Sequence, residues 1–222
     1  MSEVNIIDIK ESIFEDNNKE ADKLRQELKD KKTFVLNIMS SPGSGKTTLL
    51  LRTLAEISNK YKISVMEADI DSAVDAEKII NAGGDAIQLH TGGMCHMDAG
   101  MTRSGLENVD VDNMDIVFLE NVGNLVCPAE FDTGASKSIE ILSVPEGDDK
   151  PLKYPLMFTI CDAIIVNKSD CMPYFDFNFD QFCKNVRRVN PNAEIICLSA
   201  KTGEGFDKWI NWLCKEVDEW NS

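Results

Sequence analysis

The chain has 222 residues, 43% of them hydrophobic, and its 38 acidic side chains against 23 basic ones give a formal net charge of −15. That length buries one full-sized core, while the charge disfavours a nucleic-acid backbone or an anionic membrane surface as partner. No uncharged apolar window of about 18 residues occurs, and the acidic start Met1-Ser-Glu-Val-Asn is no basic leader, so the expected setting is the cytoplasm.

Residues 7–32 carry a heavily charged helical pattern, expected as a surface helix against the edge of the domain. The chain then divides into a helical extension over 1–32 and a main domain over 33–222. In the main domain, apolar strands over 34–39, 63–68, 86–90, 116–120, 139–144, 163–167 and 195–199 alternate with helices over 47–60, 73–82, 98–109, 179–188 and 205–220. Such alternation predicts an α/β fold, with a mostly parallel central sheet covered by helices on both faces. Ligands of this architecture bind beyond the carboxyl ends of the strands, so motifs placed just after a strand share one edge. Trp209, Trp212 and Trp220 give the last helix a partly apolar, core-facing side. Seven cysteines in a chain without a secretion signal argue for free thiols or metal ligands over disulfides. Cys161, Cys183, Cys197 and Cys214 fall in apolar patterns and read as core residues, while Cys171 borders a loop and is left undecided.

The first strand runs into Ser40-Ser41-Pro42-Gly43-Ser44-Gly45-Lys46-Thr47-Thr48 and then into an apolar helix, which is the arrangement of a phosphate-binding loop in a P-loop NTPase. Gly43 and Gly45 let the backbone N–H groups around Ser44 turn toward one centre, the helix start adds its unpaired donors, and Lys46 adds a cation. Thr47 supplies the hydroxyl such loops use to hold Mg²⁺. Ser40 stands where the pattern usually has its first glycine.

Asn167-Lys168-Ser169-Asp170 directly follows the apolar strand Ala163-Ile-Ile-Val. A carboxylate at Asp170 accepts from both the ring N–H and the exocyclic amine of guanine, whereas adenine presents an acceptor at the first of these positions. This selects GTP and GDP over adenine nucleotides. Lys168 has the stem to lie along the base and Asn167 to brace neighbouring loops. Ser199-Ala200-Lys201, after another strand, is placed to close over the base with a backbone N–H. Residues 33–222 thus read as a GTP-binding G domain.

Between these motifs, Ile116-Val-Phe-Leu-Glu120-Asn121-Val122-Gly123 is a strand that ends in an acid, with a glycine three residues on. Gly123 allows a backbone amide close to the γ-phosphate, which makes this segment the candidate switch. Glu120 is expected at the Mg²⁺, directly or through water. A further cluster, Asp69, Asp71 and Asp75, follows the second strand, and one or two of these acids complete the Mg²⁺ shell or orient the attacking water. Which acid does which stays open, with Asp69 placed in the Mg²⁺ set and Asp75 in the catalytic set beside Lys46, Glu120 and Gly123.

Cys95 and His96 follow Gly92-Gly93 in a loop after a strand, and Cys127 comes four residues beyond Gly123. Two thiols and one imidazole suit Zn²⁺ or Ni²⁺, and three ligands leave an open position for exchange or for completion by a second subunit. Adjacent side chains point oppositely on an extended chain, so Cys95 and His96 reach one ion only where the backbone bends. His90 is a strand residue, expected to be structural.

These residues jointly resemble the hydrogenase nickel-insertion GTPases, the HypB family, which belongs to a group of dimerising P-loop GTPases and ATPases. The resemblance runs from about residue 6 to 220 and is carried by Glu120-Asn-Val-Gly-Asn-Leu-Val-Cys-Pro-Ala-Glu-Phe-Asp, Thr91-Gly-Gly-Met-Cys-His and Glu146-Gly-Asp-Asp. It implies that Cys95, His96 and Cys127 form a metal site at a twofold interface made or tightened by GTP. It also implies as partners a second copy of the chain, the hydrogenase large subunit and other nickel-maturation accessory proteins, with Lys153 a candidate to reach the second subunit's phosphates. The N-terminal cysteine motif and histidine-rich tract of some members do not occur in this sequence, which places the metal function on the G-domain site. The same group includes the urease nickel-insertion GTPase, so urease is the alternative recipient. Other readings are a regulatory GTPase whose Zn²⁺ only staples a dimer and a P-loop kinase or ATPase with structural cysteines.

Overall fold

The computed structural model describes residues 9–69 and 74–222. Seven strands, β1 (Phe34–Ser40), β2 (Ile63–Asp69), β3 (Asp85–His90), β4 (Ile116–Glu120), β5 (Lys137–Ser143), β6 (Ala163–Asn167) and β7 (Glu194–Cys197), form one sheet in the order β3-β2-β4-β1-β5-β6-β7. Every neighbouring pair is parallel, so among the described residues the sheet is wholly rather than mostly parallel. Parallel neighbours need crossover connections, and the longer helices supply most of them: α2 (Lys46–Ile57), α3 (Val74–Asn81), α4 (Ala99–Leu106) and α8 (Phe179–Val189), with α1 (Ile9–Lys31) before the sheet and α9 (Phe206–Asn221) after it. Three short helices, α5 (Cys127–Glu130), α6 (Lys150–Lys153) and α7 (Pro155–Thr159), each have proline in the first turn. They are too short to show a helical period in the sequence.

Burial on both faces explains the composition of the central strands. All seven residues of β1 are buried, and they alternate between two layers. Phe34, Leu36 and Ile38 pack with Leu50 and Leu54 of α2 and with Trp209, Leu213 and Val217 of α9. On the opposite face Val35 packs with Leu24 and Leu28 of α1 and Leu106 of α4, and Met39 joins Met157 and Phe158 of α7 and Phe182 and Val186 of α8.

Several boundaries move from the expected ones for local reasons. The helix after β1 stops at Ile57 instead of 60, where the Ser58 hydroxyl bonds back to the Leu54 carbonyl. The helix expected from 98 begins at Ala99, because the Asp98 carboxylate caps it by accepting from the Met101 N–H at 2.8 Å. The last strand ends at Cys197, and the Ser199 N–H leaves the sheet to bond the Glu204 carbonyl at 2.9 Å. Cys161 is fully in the core, and Cys171, Cys183, Cys197 and Cys214 are partly buried against it. No described helix is long and apolar enough to cross a membrane.

Candidate functional site

β1 delivers Ser40 to the carboxyl edge of the sheet, and the chain turns through the phosphate-loop sequence into α2. Gly43 and Gly45 take φ of 77° and 104°, conformations that side chains resist. Gly45 is doubly required, since a Cβ there would lie 2.5 Å from the Asn167 amide nitrogen. Gly45 caps α2 without a side-chain hydrogen bond, so the first-turn N–H groups at Lys46, Thr47 and Thr48 face the loop as donors for an anion. The Lys46 ammonium donates to Ser40 Oγ at 2.8 Å and lies 3.9 Å from Glu120. Ser44 Oγ is buried without a partner among the described residues. The Ser41 hydroxyl bonds to Glu146, whose other oxygen accepts from the Ser143 N–H and hydroxyl at 2.8 and 2.7 Å. The Glu146 segment therefore holds the rim of the phosphate loop to the end of β5.

Three separate loops meet at one side chain. Asn167 Nδ2 donates to the Ser44 carbonyl at 2.9 Å, while its Oδ1 accepts from the Lys168 N–H at 2.8 Å and the Ala200 N–H at 3.0 Å. Lys168, at φ 61°, turns its ammonium onto the Gly43 carbonyl at 2.7 Å. The Ser199 hydroxyl donates to Asp170 Oδ1 at 2.6 Å and accepts from the Thr202 N–H at 3.1 Å. The structure brings together Gly43, Ser44, Gly45, Asn167, Lys168, Asp170, Ser199 and Ala200, with Lys201 exposed at the rim.

Glu120 ends β4 at 4% exposure, next to β1 and to Glu67 of β2, an acid at 3% exposure that the sequence reading passed over. For Asp69 and Asp75 the backbone alone is described, at the end of β2 and in α3, and Asp71 lies outside the described residues. Gly123 lies flat on the phosphate loop: a Cβ there would meet Pro42 at 3.2–3.4 Å. A second link runs through Asn121, 1% exposed, which sequence patterning did not single out. Its Oδ1 accepts from the Met97 N–H at 3.2 Å and the Val122 N–H at 2.9 Å, and its Nδ2 donates to Asn37 at 3.1 Å. The candidate switch segment is thus bonded to the loop that carries Cys95 and His96.

Asn124 caps the turn into α5, accepting from the Val126 and Cys127 N–H groups at 2.7 and 3.3 Å, and so sets Cys127 at the helix start. The Cys127 side chain, with burial second, raises the Cys95 thiol above the ordinary range. The His96 ring stacks on Phe131 at 4.0 Å and 8°, and among the described residues no three His, Cys, Asp or Glu side chains stand together as a finished ligand set. Burial lowers the His96 pKa against the pull of Asp98 and Glu130, keeping a neutral imidazole whose buried Nδ1 has no hydrogen-bond partner among the described residues. Two neighbouring thiols, with a neutral imidazole next in the chain to one of them, are a donor set suited to a borderline-soft divalent ion. His90 stands exposed at the end of β3 rather than packed inside. Lys153 is on the surface, paired with Asp149 at 2.5 Å.

Comparison with known proteins bears on all of these segments together. The family described as "CobW/HypB/UreG, nucleotide-binding domain" matches residues 34–197. The hydrogenase maturation factor HypB of Escherichia coli K12 is 44% identical over 213 residues, covering 96% of this chain and 73% of that one. The probable hydrogenase maturation factor HypB of Methanocaldococcus jannaschii is 38% identical over 216 residues, covering 97% and 98%. A Helicobacter hepaticus relative, 42% identical over 206 residues with 91% and 84% covered, is a hydrogenase/urease maturation factor HypB. Among solved structures, Helicobacter pylori HypB in complex with nickel superposes with a TM-score of 0.86 at 37% identity, over 92% of this chain and 96% of that one. Archaeoglobus fulgidus HypB gives 0.84 at 37% identity, over 91% and 98%. The phosphate loop, the Asn167 and Asp170 segment bonded to it, and the segments that carry Cys95 and Cys127 all sit where these matches run, and the chain belongs to the CobW/HypB/UreG nucleotide-binding family, on its hydrogenase maturation factor branch.

Proposed function

We propose that this chain is a GTP-hydrolysing metallochaperone that couples the nucleotide cycle to delivery of a divalent ion, Ni²⁺ or Zn²⁺, during hydrogenase maturation. Asp170 reads guanine, while Asn167 and Ala200 hold the base loop. The N–H groups of Gly43 to Thr48 and the Lys46 ammonium hold the phosphates. Thr47, Asp69 and Glu120 are the residues to hold Mg²⁺, which when bound neutralises charge on the transferring phosphoryl group. Asp75 is our choice to orient the attacking water. Phosphoryl transfer to water needs positioning more than covalent chemistry, and this fixed loop supplies it.

One observation carries the coupling. Gly123 rests on Pro42 of the phosphate loop, Cys127 follows four residues later, and Asn121 bonds the same segment to Met97 beside Cys95 and His96. A shift of the Gly123 amide toward a γ-phosphate therefore displaces both halves of the ion site. Inverting a site from about 99:1 retained to 1:99 takes about 5.5 kcal/mol of differential affinity, and linkage requires bound ion to change GTP affinity by the same factor.

Completion of the ligand set by a second copy fits the exposed apolar residues that adjoin each cysteine, Met94 at 43% and Val126 at 52%. A GTP-dependent homodimer, the hydrogenase large subunit and other nickel-maturation accessory proteins are the partners we assign, in the cytoplasm. A urease recipient is the second reading, favoured by the hydrogenase/urease name of the Helicobacter hepaticus relative. The test is a Ni²⁺ and Zn²⁺ titration of the chain with GDP and with a non-hydrolysable GTP analogue, with mass measured in solution. We expect different affinities in the two states and a dimer with the analogue. Equal affinities sink the coupling, and a Zn²⁺ that never exchanges in either state makes the site a structural staple.

A further inference from the structure

The segments bearing Cys95 and Cys127 belong to different parts of the chain, and α1 touches both. Asn17 of α1 uses the two ends of one amide. Its Oδ1 accepts the Ala99 N–H at 3.0 Å, at the start of α4 just after the Cys95-His96 loop, and its Nδ2 donates to the Asp132 carbonyl at 2.9 Å, five residues past Cys127. Around this bridge the grip is repeated on each side. Arg25 forks onto the Asp132 carboxylate at 2.6 and 2.7 Å and donates to the Ala135 carbonyl at 2.9 Å. Arg103 of α4 pairs with Glu20 and with Glu27, the latter at 2.6 Å. Phe14 packs on Phe131 at 4.9 Å, and Phe131 in turn stacks on His96.

Holding a surface helix on a sheet needs only its apolar side, and Leu24 and Leu28 already provide it in the half of α1 nearer β1. Asn17 and Phe14 lie instead in the half that reaches the carboxyl edge, where the thiols are, and their partners are the backbone and ring neighbours of the proposed ion ligands. We infer that α1 is a splint for the metal centre and that Asn17 is its positioning residue, fixing the distance between the Cys95 and Cys127 segments without touching the ion. This rests on the proposed reading of those cysteines as ion ligands. Groups that hold ligands in place from outside the coordination sphere typically change metal affinity about 10–100-fold when removed.

The test uses the full chain with Asn17→Ala and Asn17→Asp, the second keeping the size and the acceptor but losing the donor to Asp132. Three quantities are read: amide hydrogen exchange at Ala99 in the metal-free protein, Co²⁺ affinity from the thiolate-to-cobalt absorption, and affinity for a GTP analogue. In Asn17→Ala we expect faster exchange at Ala99 and Co²⁺ binding weaker by at least about tenfold, with GTP-analogue affinity unchanged. Asn17→Asp should keep the Ala99 protection and still weaken Co²⁺. Unchanged Co²⁺ affinity in both variants overturns the splint, as does a parallel loss of nucleotide and cobalt binding in Asn17→Asp, which would mark a general folding role. The unsubstituted chain is the separate control for the underlying reading: if it shows no thiolate-to-cobalt band, the assignment of Cys95 and Cys127 as ligands fails, whatever Asn17 does.

Discussion

Glu140, in the middle of β5, has no exposed surface, and neither of its carboxyl oxygens has a hydrogen-bond partner among the described residues. Burial first and nearby Glu146 second push its carboxyl well above the usual carboxylate range, against an opposing pull from Lys46. The folded chain therefore keeps a proton that the unfolded chain releases once the pH passes the ordinary glutamate value. Folding stability then falls as the pH climbs from there toward the raised one. Replacing the group with an apolar side chain of similar size removes that loss. Glu140→Leu is expected to stabilise by about 1–3 kcal/mol at slightly alkaline pH, with the gain shrinking toward about pH 5. Thermal melts across that range check it, and a shift of the same size at every pH would show that the proton is not involved. Nothing in the sequence flagged this residue, because a lone glutamate in an apolar strand carries no sign of whether it meets water or a partner. Asp170 is the opposite case: its place after an apolar strand and before Ser199-Ala200-Lys201 singled it out, and the structure bonds it to the Ser199 hydroxyl.

At the level of elements, strands were legible wherever an apolar run was bounded by turn residues, and the helices with a full period were legible too. What stayed hidden were α5, α6 and α7, which are single turns started by proline and held by local caps such as Asn124. The polar grips of α1 were hidden as well. A charged helical stretch ordinarily means a solvated surface, and the partners of Asn17 lie 82 and 115 residues away in the chain. The tryptophans of α9 show how a readable pattern becomes a load. Trp209 is fully buried, stacks on Trp212 at 5.6 Å, and donates its indole N–H to Thr53 of α2 at 2.9 Å. Trp209→Ala is expected to cost about 3–5 kcal/mol by opening a cavity and losing the Thr53 partner. Urea denaturation would report it, and a loss below about 1 kcal/mol would mean that α9 repacks without it.

For the molecule as a whole, a net charge of −15 sets the terms of self-association. Two such chains repel at low ionic strength, and salt shortens the range of that repulsion to roughly 8–10 Å near physiological conditions. The proposed GTP-analogue dimer is therefore expected to tighten as NaCl rises from about 0.02 to 0.15 M, as measured by sedimentation. Weakening over the same range would place attractive ion pairs at the interface in place of the apolar residues beside the cysteines. One small feature of the fold has a wide effect on how nucleotide arrives. Because the Asn167 amide joins three loops, the proposed base site is held together by the chain's own hydrogen bonds. Discrimination between purines can then come from the matching of donors and acceptors alone, and damage at this one amide should weaken every nucleotide together, leaving their ranking as it was.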